Sequence, residues 1–398
     1  MVAAEQPRIE KALAAAIAPG AFFLYDVTSS YFEGQHNELA DHGYNRDGKR
    51  FKKQVVAGLL TDAQGEPLSI QLYPGNTSDP TTFLPAVDLP KQRFGTREVV
   101  LVGDRGMIKK AGMEKLADEH LRYITALTDP QIRKLIEQKV IQPELFDQEA
   151  AEVSQGNRRL ILRINPEMQA RERQRRASQL AKLRDRLEKE SARLATQART
   201  KVATVEKLAQ RWQRSYKLTA WTRIVTEGRV VRLEEKAAER AEAELLDGCY
   251  VLVTDVTPGA CSTKQVVERY LALQKVERDF RTMKTGELEL RPIFLRKAER
   301  TEGHALVTML ALKLTRRLRE RVAPLGLTSE DAVARLAGVR VVGLGHEAHN
   351  LWCLPDSIPS AQQEILAVLP TLGSPLLSLK KPIKRRLKTK FKTTVSPL

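Results

Sequence analysis

Three acidic residues are the strongest candidates for chemistry in this sequence. Asp26 lies inside the apolar run 22–28, which is typical of a central strand covered on both faces. A carboxylate there needs a partner, because leaving it unpaired costs on the order of several kcal/mol. Either a structural Arg or Lys pairs with Asp26, or it is a metal ligand. Asp104 ends a later apolar strand at 99–102, and Glu277 lies on a predicted helix.

Carboxylates that converge from two strands and a helix suit a particular kind of metal site. Their oxygens are the ligands preferred by hard cations, so we expect two Mg²⁺ ions, or Mn²⁺ in their place. Two such ions about 3.5–4 Å apart hold an attacking and a leaving oxygen in line across a phosphate. The acids therefore predict phosphodiester hydrolysis and strand transfer.

The helix that carries Glu277 has a polar stripe. Tyr270, Glu277 and Lys284 are seven residues apart, which places them on one side of a helix. Arg281 lies one turn beyond Glu277 on the same side. The other side presents Leu273, Val276, Phe280 and Met283, which we expect to pack on the core. The third acid thus lies between an aromatic donor and cations.

Other acids compete for these roles. Asp255 also ends an apolar strand and is the strongest rival, and we interpret it as a structural cap or a group behind the ligands. Glu268 and Asp279 lie off the polar stripe. Asp79, followed by Pro80, is interpreted as a helix N-cap.

The overall charge favours a polyanionic partner. The 398 residues include 66 Lys and Arg against 49 Asp and Glu, a net charge of +17. Nucleic acid is favoured over a membrane, because no apolar run approaches the length of a membrane span. Three scattered cysteines, Cys249, Cys261 and Cys353, form neither a zinc spacing nor a disulfide framework and predict a reduced, cytosolic protein.

The elements that position the acids follow from periodicity and turn signals. The predicted order is three strands, helix, strand, helix, strand, with the first three in a meander. This order predicts an α/β fold with an RNase H-like mixed sheet, flanked by helices, in which the strands of Asp26 and Asp104 are neighbours. The predicted elements are helix 8–18, the strand of Asp26, loop 34–50, strands 54–60 and 68–73, helix 79–92, strand 99–102, helix 109–120 and strand 122–127.

A large, mainly helical insertion precedes the third acid. Residues 166–214 are highly charged and carry an apolar three-four repeat, which predicts a helical hairpin or a short coiled coil. The repeat comprises Leu180, Leu183, Leu187, Leu194, Val205, Leu208 and Trp212. The predicted division is a short N-terminal helix at 1–20, the core at 21–129, the insertion at 130–247, the second part of the core at 248–325, and a C-terminal region at 326–398 with a basic tail.

Several segments together resemble one protein family. Asp26 in YDVTSSYFEG, Asp104 in VGDRG and the stripe of Tyr270, Glu277 and Lys284 are similar to bacterial insertion-sequence transposases of the DDE type. The subgroup is the one whose third acid lies in a Tyr-Arg-Glu-Lys (YREK) motif. Further similar stretches are GYNRDGKRFKKQVV at 43–56, PGNTSDPTTF at 74–83 and VERDFRTMKTGELELRPIF at 276–294.

The resemblance implies a function and roles for particular residues. It implies an RNase H-like core and Mg²⁺-dependent cut-and-paste chemistry on double-stranded DNA, at transposon ends and target. Asp26, Asp104 and Glu277 are the implied metal ligands and catalytic residues. The expected DNA contacts are Arg105, Tyr270, Arg281 and Lys284. A homodimer in the synaptic complex and a cytoplasmic, nucleoid-associated location are also expected.

The sequence departs from the family pattern in two places. Leu273 stands where the motif has its arginine, so that phosphate contact is either missing or supplied by Arg278 or Arg281. Only about 20 residues precede the first strand, where relatives carry an end-binding region. Two alternatives therefore remain. One is a truncated, catalytically inactive DNA-binding remnant, and the other is an RNase H-like nuclease that acts on cellular DNA.

Overall fold

The structure is a computed structural model. It describes residues 2–15, 17–18, 21–49, 51–96, 99–105, 107–108, 121–147, 151–285, 288–346, 349–353, 358–369 and 392–397, with the backbone alone at 340–346, 349–353 and 392–397. The predicted helix 109–120 lies outside these residues, as does most of the basic tail.

An eight-stranded mixed sheet forms the centre of the fold, in the order β3-β2-β1-β4-β5-β10-β7-β6. The strands are β1 (Phe22–Tyr31), β2 (Gln54–Asp62), β3 (Pro67–Tyr73), β4 (Val100–Gly103), β5 (Arg122–Ala126), β6 (Ala151–Gln155), β7 (Arg158–Ile164), β8 (Thr222–Glu227), β9 (Val230–Glu235), β10 (Cys249–Thr254), β11 (Arg340–His346), β12 (His349–Cys353) and β13 (Lys392–Pro397). β8 and β9 form a separate hairpin, and β11–β13 form a small third sheet.

The first five strands have the predicted arrangement. β1, β2 and β3 form an antiparallel meander, and β4 and β5 continue the sheet in parallel with β1. This confirms the RNase H-like mixed sheet and the central place of the strand that contains Asp26. β10, β7 and β6 then extend the sheet in antiparallel pairing beyond β5. β6 and β7 therefore belong to the main sheet, although they fall within the segment predicted as an insertion.

Helices cover both faces of this sheet. The helices of the described residues are α1 (Gln6–Leu13), α2 (Asp79–Phe94), α3 (Asp129–Glu137), α4 (Pro166–Thr196), α5 (Val202–Ser215), α6 (Ala237–Glu244), α7 (Thr263–Leu271), α8 (Leu273–Lys284), α9 (Ala298–Val322), α10 (Ser329–Leu336) and α11 (Ser360–Val368), with short 3₁₀ turns at Val2–Glu5, Pro143–Asp147 and Ala323–Leu325. In the part of the chain that the structure describes, no helix is long and apolar enough to cross a membrane.

The two faces of β1 pack against different helices. Phe23, Tyr25 and Val27 join a core cluster with α2 and α3. Leu24 joins the opposite cluster, which contains the apolar sides of α7, α8 and α9. Because side chains alternate along a strand, Asp26 belongs to the same face as Leu24. The strand therefore directs Asp26 towards the layer that contains α8.

The charged segment between β7 and β10 is a helical hairpin, as predicted. α4 and α5 pack together through a separate apolar cluster that also includes the β8–β9 hairpin. Leu183 and Leu194 are fully buried there, whereas the fully buried residue of α5 is Ala209 rather than the neighbouring Leu208.

The structure corrects two helix predictions. The single helix predicted to carry Tyr270, Glu277 and Lys284 is interrupted at Ala272. This residue separates α7 from α8 although its own backbone is helical, with φ −63° and ψ −16°. Neither proline nor glycine marks the interruption in the sequence. Asp79 is not the N-cap of α2, because Ser78 occupies that position and Asp79 is the first helical residue.

Candidate active site

Asp26 and Asp104 occupy matching positions on adjacent parallel strands. The pairing of β1 with β4 runs from Phe22 and Val100 to Tyr25 and Gly103. The residue that follows this last pair on each strand is an aspartate. The topology therefore brings the two predicted acids side by side near the carboxyl end of β4.

Glu277 reaches the same place from α8. Val276 and Phe280 on this helix are buried in the core beneath the sheet, while Glu277 is exposed. Glu277, Asp26 and Asp104 together line one cleft with a volume of about 290 Å³. The other lining residues are Val27, Thr28, Arg46, Asp79, Arg105, Met107 and Phe280. The structure thus brings the three predicted acids together.

The electrostatics of Asp26 reflect this crowding. Burial above all, together with the negative charges of Asp104 and Glu277, raises the pKa of Asp26 to about 7. The hydrogen bond from the Val27 amide, at 2.7 Å, and the charge of Arg46 act in the opposite direction. The carboxylate form of Asp26 is therefore held at an energetic disadvantage, which a bound cation would remove.

Tyr270 contacts the acid on β4. Its hydroxyl donates to Asp104 Oδ1 at 3.2 Å, across the helix interruption that places Tyr270 and Glu277 on separate helices. Burial, and then the charge of Asp104, raise the pKa of the Tyr270 phenol well above its ordinary value. Tyr270 therefore remains a neutral hydrogen-bond donor that orients Asp104.

The predicted cations lie in different surroundings. Arg105 lines the cleft, donates its backbone N–H to Asp104 Oδ1 at 2.6 Å, and pairs with Asp129 at 2.8 Å. Arg281 is exposed on α8 but is not among the described residues of the cleft wall. Their DNA contacts stay predictions.

Lys284 lies inside the protein next to the cleft. Only 8% of its side chain is exposed, and Nζ donates to Thr28 Oγ1 at 2.7 Å and to Asp47 Oδ1 at 2.9 Å. Burial lowers the pKa of Lys284, while the charge of Asp47 opposes that effect. The structure thus gives Lys284 an internal partner, and its predicted contact with DNA remains untested.

Sequence reasoning missed one ion pair in the cleft. Arg46 donates through Nη2 to both carboxylate oxygens of Asp79, and both residues line the cleft. They come from the stretches 43–56 and 74–83, which resemble the family, but Arg46 had no predicted role and Asp79 was predicted only as a helix N-cap. The resemblance of both stretches to the family was the signal from which the sequence could have indicated a role for this pair.

The rival acids have structural partners. Asp255 lies beside the amino end of β5, where it accepts from the Tyr123 amide at 2.9 Å, so it caps the sheet far from the carboxyl end of β4. Asp279 is buried against Arg316, and burial raises its pKa to about 6. Glu268 is exposed on α7 and does not line the cleft formed by the described residues.

The donor set fits a divalent cation in its chemistry. Asp26, Asp104 and Glu277 offer carboxylate oxygens, and after burial the charges of Asp104 and Glu277 contribute to the raised pKa of Asp26. Among the described residues, however, no three His, Cys, Asp or Glu side chains are grouped closely enough to hold a metal ion. The residues share a cleft without forming a closed ligand set.

Comparison with known proteins identifies a family and several solved structures with a similar fold, among them two transposases. Residues 18–314 match the family described as Transposase DDE domain. The chain is similar to the piggyBac transposase in a cryo-EM structure of its synaptic complex with hairpin DNA, with 8% identity, TM-score 0.38, and coverage of 75% of this chain and 47% of that chain. It is also similar to the Mos1 transposase in a paired-end complex with the left transposon end, with 12% identity, TM-score 0.18, and coverage of 30% and 41%. The chain thus spans under half the length of these transposases. A search of curated proteins found no match.

Proposed function

This chain belongs to the transposase DDE domain family, and from that premise we propose that it cleaves DNA at the ends of a bacterial insertion sequence and joins those ends to target DNA. The proposed steps are hydrolysis that leaves a 3′-OH and attack of that 3′-OH on a target phosphodiester. One observation carries the proposal: Asp26, Asp104 and Glu277, from two strands and a helix, line a single cleft.

The three carboxylates would serve as the catalytic ligands of divalent cations. Family members generally use such ions, and we propose two Mg²⁺, with Mn²⁺ as a substitute. When bound, the ions would neutralise the carboxylates and polarise a phosphate for in-line attack. Asp26 and Asp104 would hold one ion, and Glu277 the second.

Neighbouring side chains would orient these acids and the DNA. Tyr270 donates to Asp104 and restricts its rotation. Arg105, on the cleft wall, and Arg281, on the exposed side of α8, would neutralise phosphate charge. Lys284, which donates to Thr28 on the cleft wall, would add a further positive charge near the phosphate. This assignment follows the YREK subgroup of the family.

The partner would be double-stranded DNA, at transposon ends and at the target. The net charge of +17 supports a polyanionic ligand. A homodimer in the synaptic complex would bring two ends together. A cytoplasmic location beside the nucleoid is the matching prediction.

A plasmid transposition assay tests the proposal. The donor plasmid carries the gene with its flanking DNA on both sides, and the purified protein and Mg²⁺ are added with a target plasmid. We expect 3′-OH ends at the element boundaries and joined products. Cleavage without joining, at sites unrelated to the flanking DNA, would instead favour a nuclease that acts on cellular DNA.

A second candidate is an inactive DNA-binding remnant, and one observation favours it. Leu273 stands at the position of the motif's arginine and is 6% exposed in the core, so it cannot contact a phosphate. The remnant hypothesis predicts plasmid binding with no Mg²⁺-dependent cleavage in the same assay.

A further inference from the structure

A cation in the cleft faces the three acids and has no assigned role. Arg46 lies close enough to Asp26 to oppose the rise in its pKa, and its side chain is 24% exposed. It lines the cleft together with Asp26, Asp104 and Glu277. A cation that faces a group of carboxylates, and remains accessible, is well placed for an anionic substrate.

The turn that carries Arg46 is fixed by a set of hydrogen bonds. Asn45 Oδ1 accepts from the amides of Asp47 at 2.9 Å and Lys49 at 3.3 Å. The Arg46 amide donates to Ser29 Oγ at 2.9 Å, which ties the turn to β1. The backbone of Arg46 is thus attached to the strand that also carries Asp26.

Asp47 fastens the same turn from the inside. Its side chain is 2% exposed, and its oxygens accept from Arg291 Nη1 at 2.6 Å, Lys284 Nζ at 2.9 Å and the Tyr31 amide at 3.1 Å. One buried carboxylate therefore joins the turn to β1 and to the end of α8. A cation on this turn keeps a fixed position relative to the helix of Glu277.

The Arg46 guanidinium retains free donors. Only Nη2 donates to Asp79, and among the described residues no partner is found for Nε or Nη1. A guanidinium presents five N–H donors in a planar fork that matches two phosphate oxygens. Asp79 therefore orients the group and leaves one edge of the fork for a ligand.

The cations predicted from sequence do not fill this place. Lys284 is buried against Asp47, and Leu273 replaces the motif's arginine in the core. Arg105 lies on the cleft wall and pairs with Asp129, and Arg281 is not among the described residues of that wall. Arg46 and Arg105 are thus the two arginines of the described cleft wall, and Arg46 is the one for which the sequence predicted no role.

We propose that Arg46 contacts the scissile phosphate during cleavage, with Asp79 and Asp47 as positioning residues for its guanidinium and its turn. This inference rests on the proposed function, since it assumes that a phosphodiester enters the cleft. Arg46 would donate to the non-bridging oxygens, where negative charge increases in the transition state. It would thereby supply the phosphate contact that Leu273 cannot make.

Cleavage kinetics of purified full-length variants test the inference. The substrate is a supercoiled plasmid that carries the gene with its flanking DNA, in the presence of Mg²⁺. Removing one such donor lowers kcat by about 10²-fold in enzymes, and we expect that loss for Arg46→Ala with little change in KM. Arg46→Lys retains a point charge without the fork and is expected to lose about tenfold.

Chemical rescue separates a phosphate contact from a structural ion pair. Methylguanidinium added to Arg46→Ala can occupy the space beside Asp79, and we expect it to raise kcat about tenfold without affecting the wild type. Lys49→Ala is the matched control, because this exposed lysine of the same turn is absent from the described cleft wall; its rate should stay within about twofold of wild type.

The outcomes distinguish this inference from the proposed function. If the wild type and Lys49→Ala cleave, and Arg46→Ala cleaves equally fast, Arg46 makes no phosphate contact. If Arg46→Ala loses activity together with thermal stability, and methylguanidinium restores neither, its role is structural and the inference is overturned. If the wild type does not cleave at all, the proposed function fails and this inference fails with it.

Discussion

Two acids at opposite edges of the sheet look alike in sequence but have different surroundings. Asp26, beside the carboxyl end of β4, and Asp255, beside the amino end of β5, each belong to an apolar strand or directly follow one. Burial raises the pKa of both. Burial alone therefore does not distinguish a functional acid from a structural one.

The neighbours make the difference. Asp255 accepts from the Tyr123 amide at 2.9 Å and lies 3.9 Å from the Arg122 guanidinium, so donors and a cation stabilise its charge. Asp26 has Asp104 and Glu277 beside it, whose charges destabilise its own. A cluster of carboxylates that repel one another favours catalysis or cation binding over stability, because a purely structural site would have no reason to assemble them.

The largest expected effect is on DNA cleavage. Asp26→Asn, Asp104→Asn and Glu277→Gln should each lower the rate of Mg²⁺-dependent plasmid cleavage at least about 10³-fold, because each removes a charged ligand. Asp255→Asn should leave the rate within about threefold and lower the free energy of unfolding by about 1–3 kcal/mol. Plasmid nicking and chemical denaturation measure the two effects.

The same variants test whether the two edges of the sheet differ in function. Full cleavage activity in all three cleft variants would remove the functional distinction between the two edges of the sheet. Strong loss of cleavage in a well-folded Asp255→Asn protein would show that the amino edge also takes part in the reaction.

The next effect concerns stability and pH. The pKa of Asp26 is about 7 in the folded state, whereas the ordinary pKa of an aspartate, which applies to the unfolded chain, is 3.8. The folded state therefore holds more protons than the unfolded state between these values, so the contribution of Asp26 to stability is lost as the pH rises towards 7. The loss amounts to about 2–4 kcal/mol for a group that is largely buried.

Denaturation at a series of pH values in EDTA measures this loss. In Asp26→Asn, the free energy of unfolding should fall less between about pH 4 and 7 than in the wild type. Above pH 7 the variant should be the more stable of the two proteins. Asp255→Asn is the control, and its free energy of unfolding should fall with pH as in the wild type, because Asp26 is still present. A wild-type curve with the same slope as Asp26→Asn would contradict the crowding inferred at the carboxyl edge.

A smaller effect is expected from Mg²⁺ on the folded protein. At about ten times its dissociation constant, a ligand that binds only the folded state adds about 1.4 kcal/mol of stability, a rise in Tm of about 2–4 °C for a domain of this size. We expect this rise at pH 8 in the wild type and in Asp255→Asn. Asp26→Asn and Asp104→Asn should lose it, and an unchanged rise in both would place the ion elsewhere.

The sequence predicts the paired acids well, for a physical reason. The order of strands determines that β1 and β4 are neighbours, so Asp26 and Asp104 meet once the RNase H-like arrangement is recognised. Glu277 follows from helical periodicity, because the apolar side of α8 can only face the core.

The missed features lie where periodicity gives no information. Arg46 is in an irregular loop, and its place depends on hydrogen bonds that no repeat encodes. Its own amide donates to Ser29 Oγ, and the amide of the next residue, Asp47, donates to Asn45 Oδ1. The interruption of the helix at Ala272 has no proline or glycine to announce it. The polar stripe predicted Lys284 on the helix of Glu277, but it did not predict the burial of Lys284 against Asp47.

The smallest effect concerns the tyrosine hydroxyl that donates to the Asp104 carboxylate at the carboxyl edge. The Tyr270 hydroxyl donates to Asp104 at 3.2 Å, as the Tyr123 amide does to Asp255 at the other edge. Tyr270→Phe removes a hydrogen bond worth about 0.5–1.5 kcal/mol, so plasmid cleavage should slow about two- to tenfold. Tyr250→Phe is the matched control, because its hydroxyl has no hydrogen-bond partner among the described residues. Equal rates for both variants would show that Asp104 needs no orienting donor, whereas a loss approaching that of Asp104→Asn would make Tyr270 part of the reaction itself.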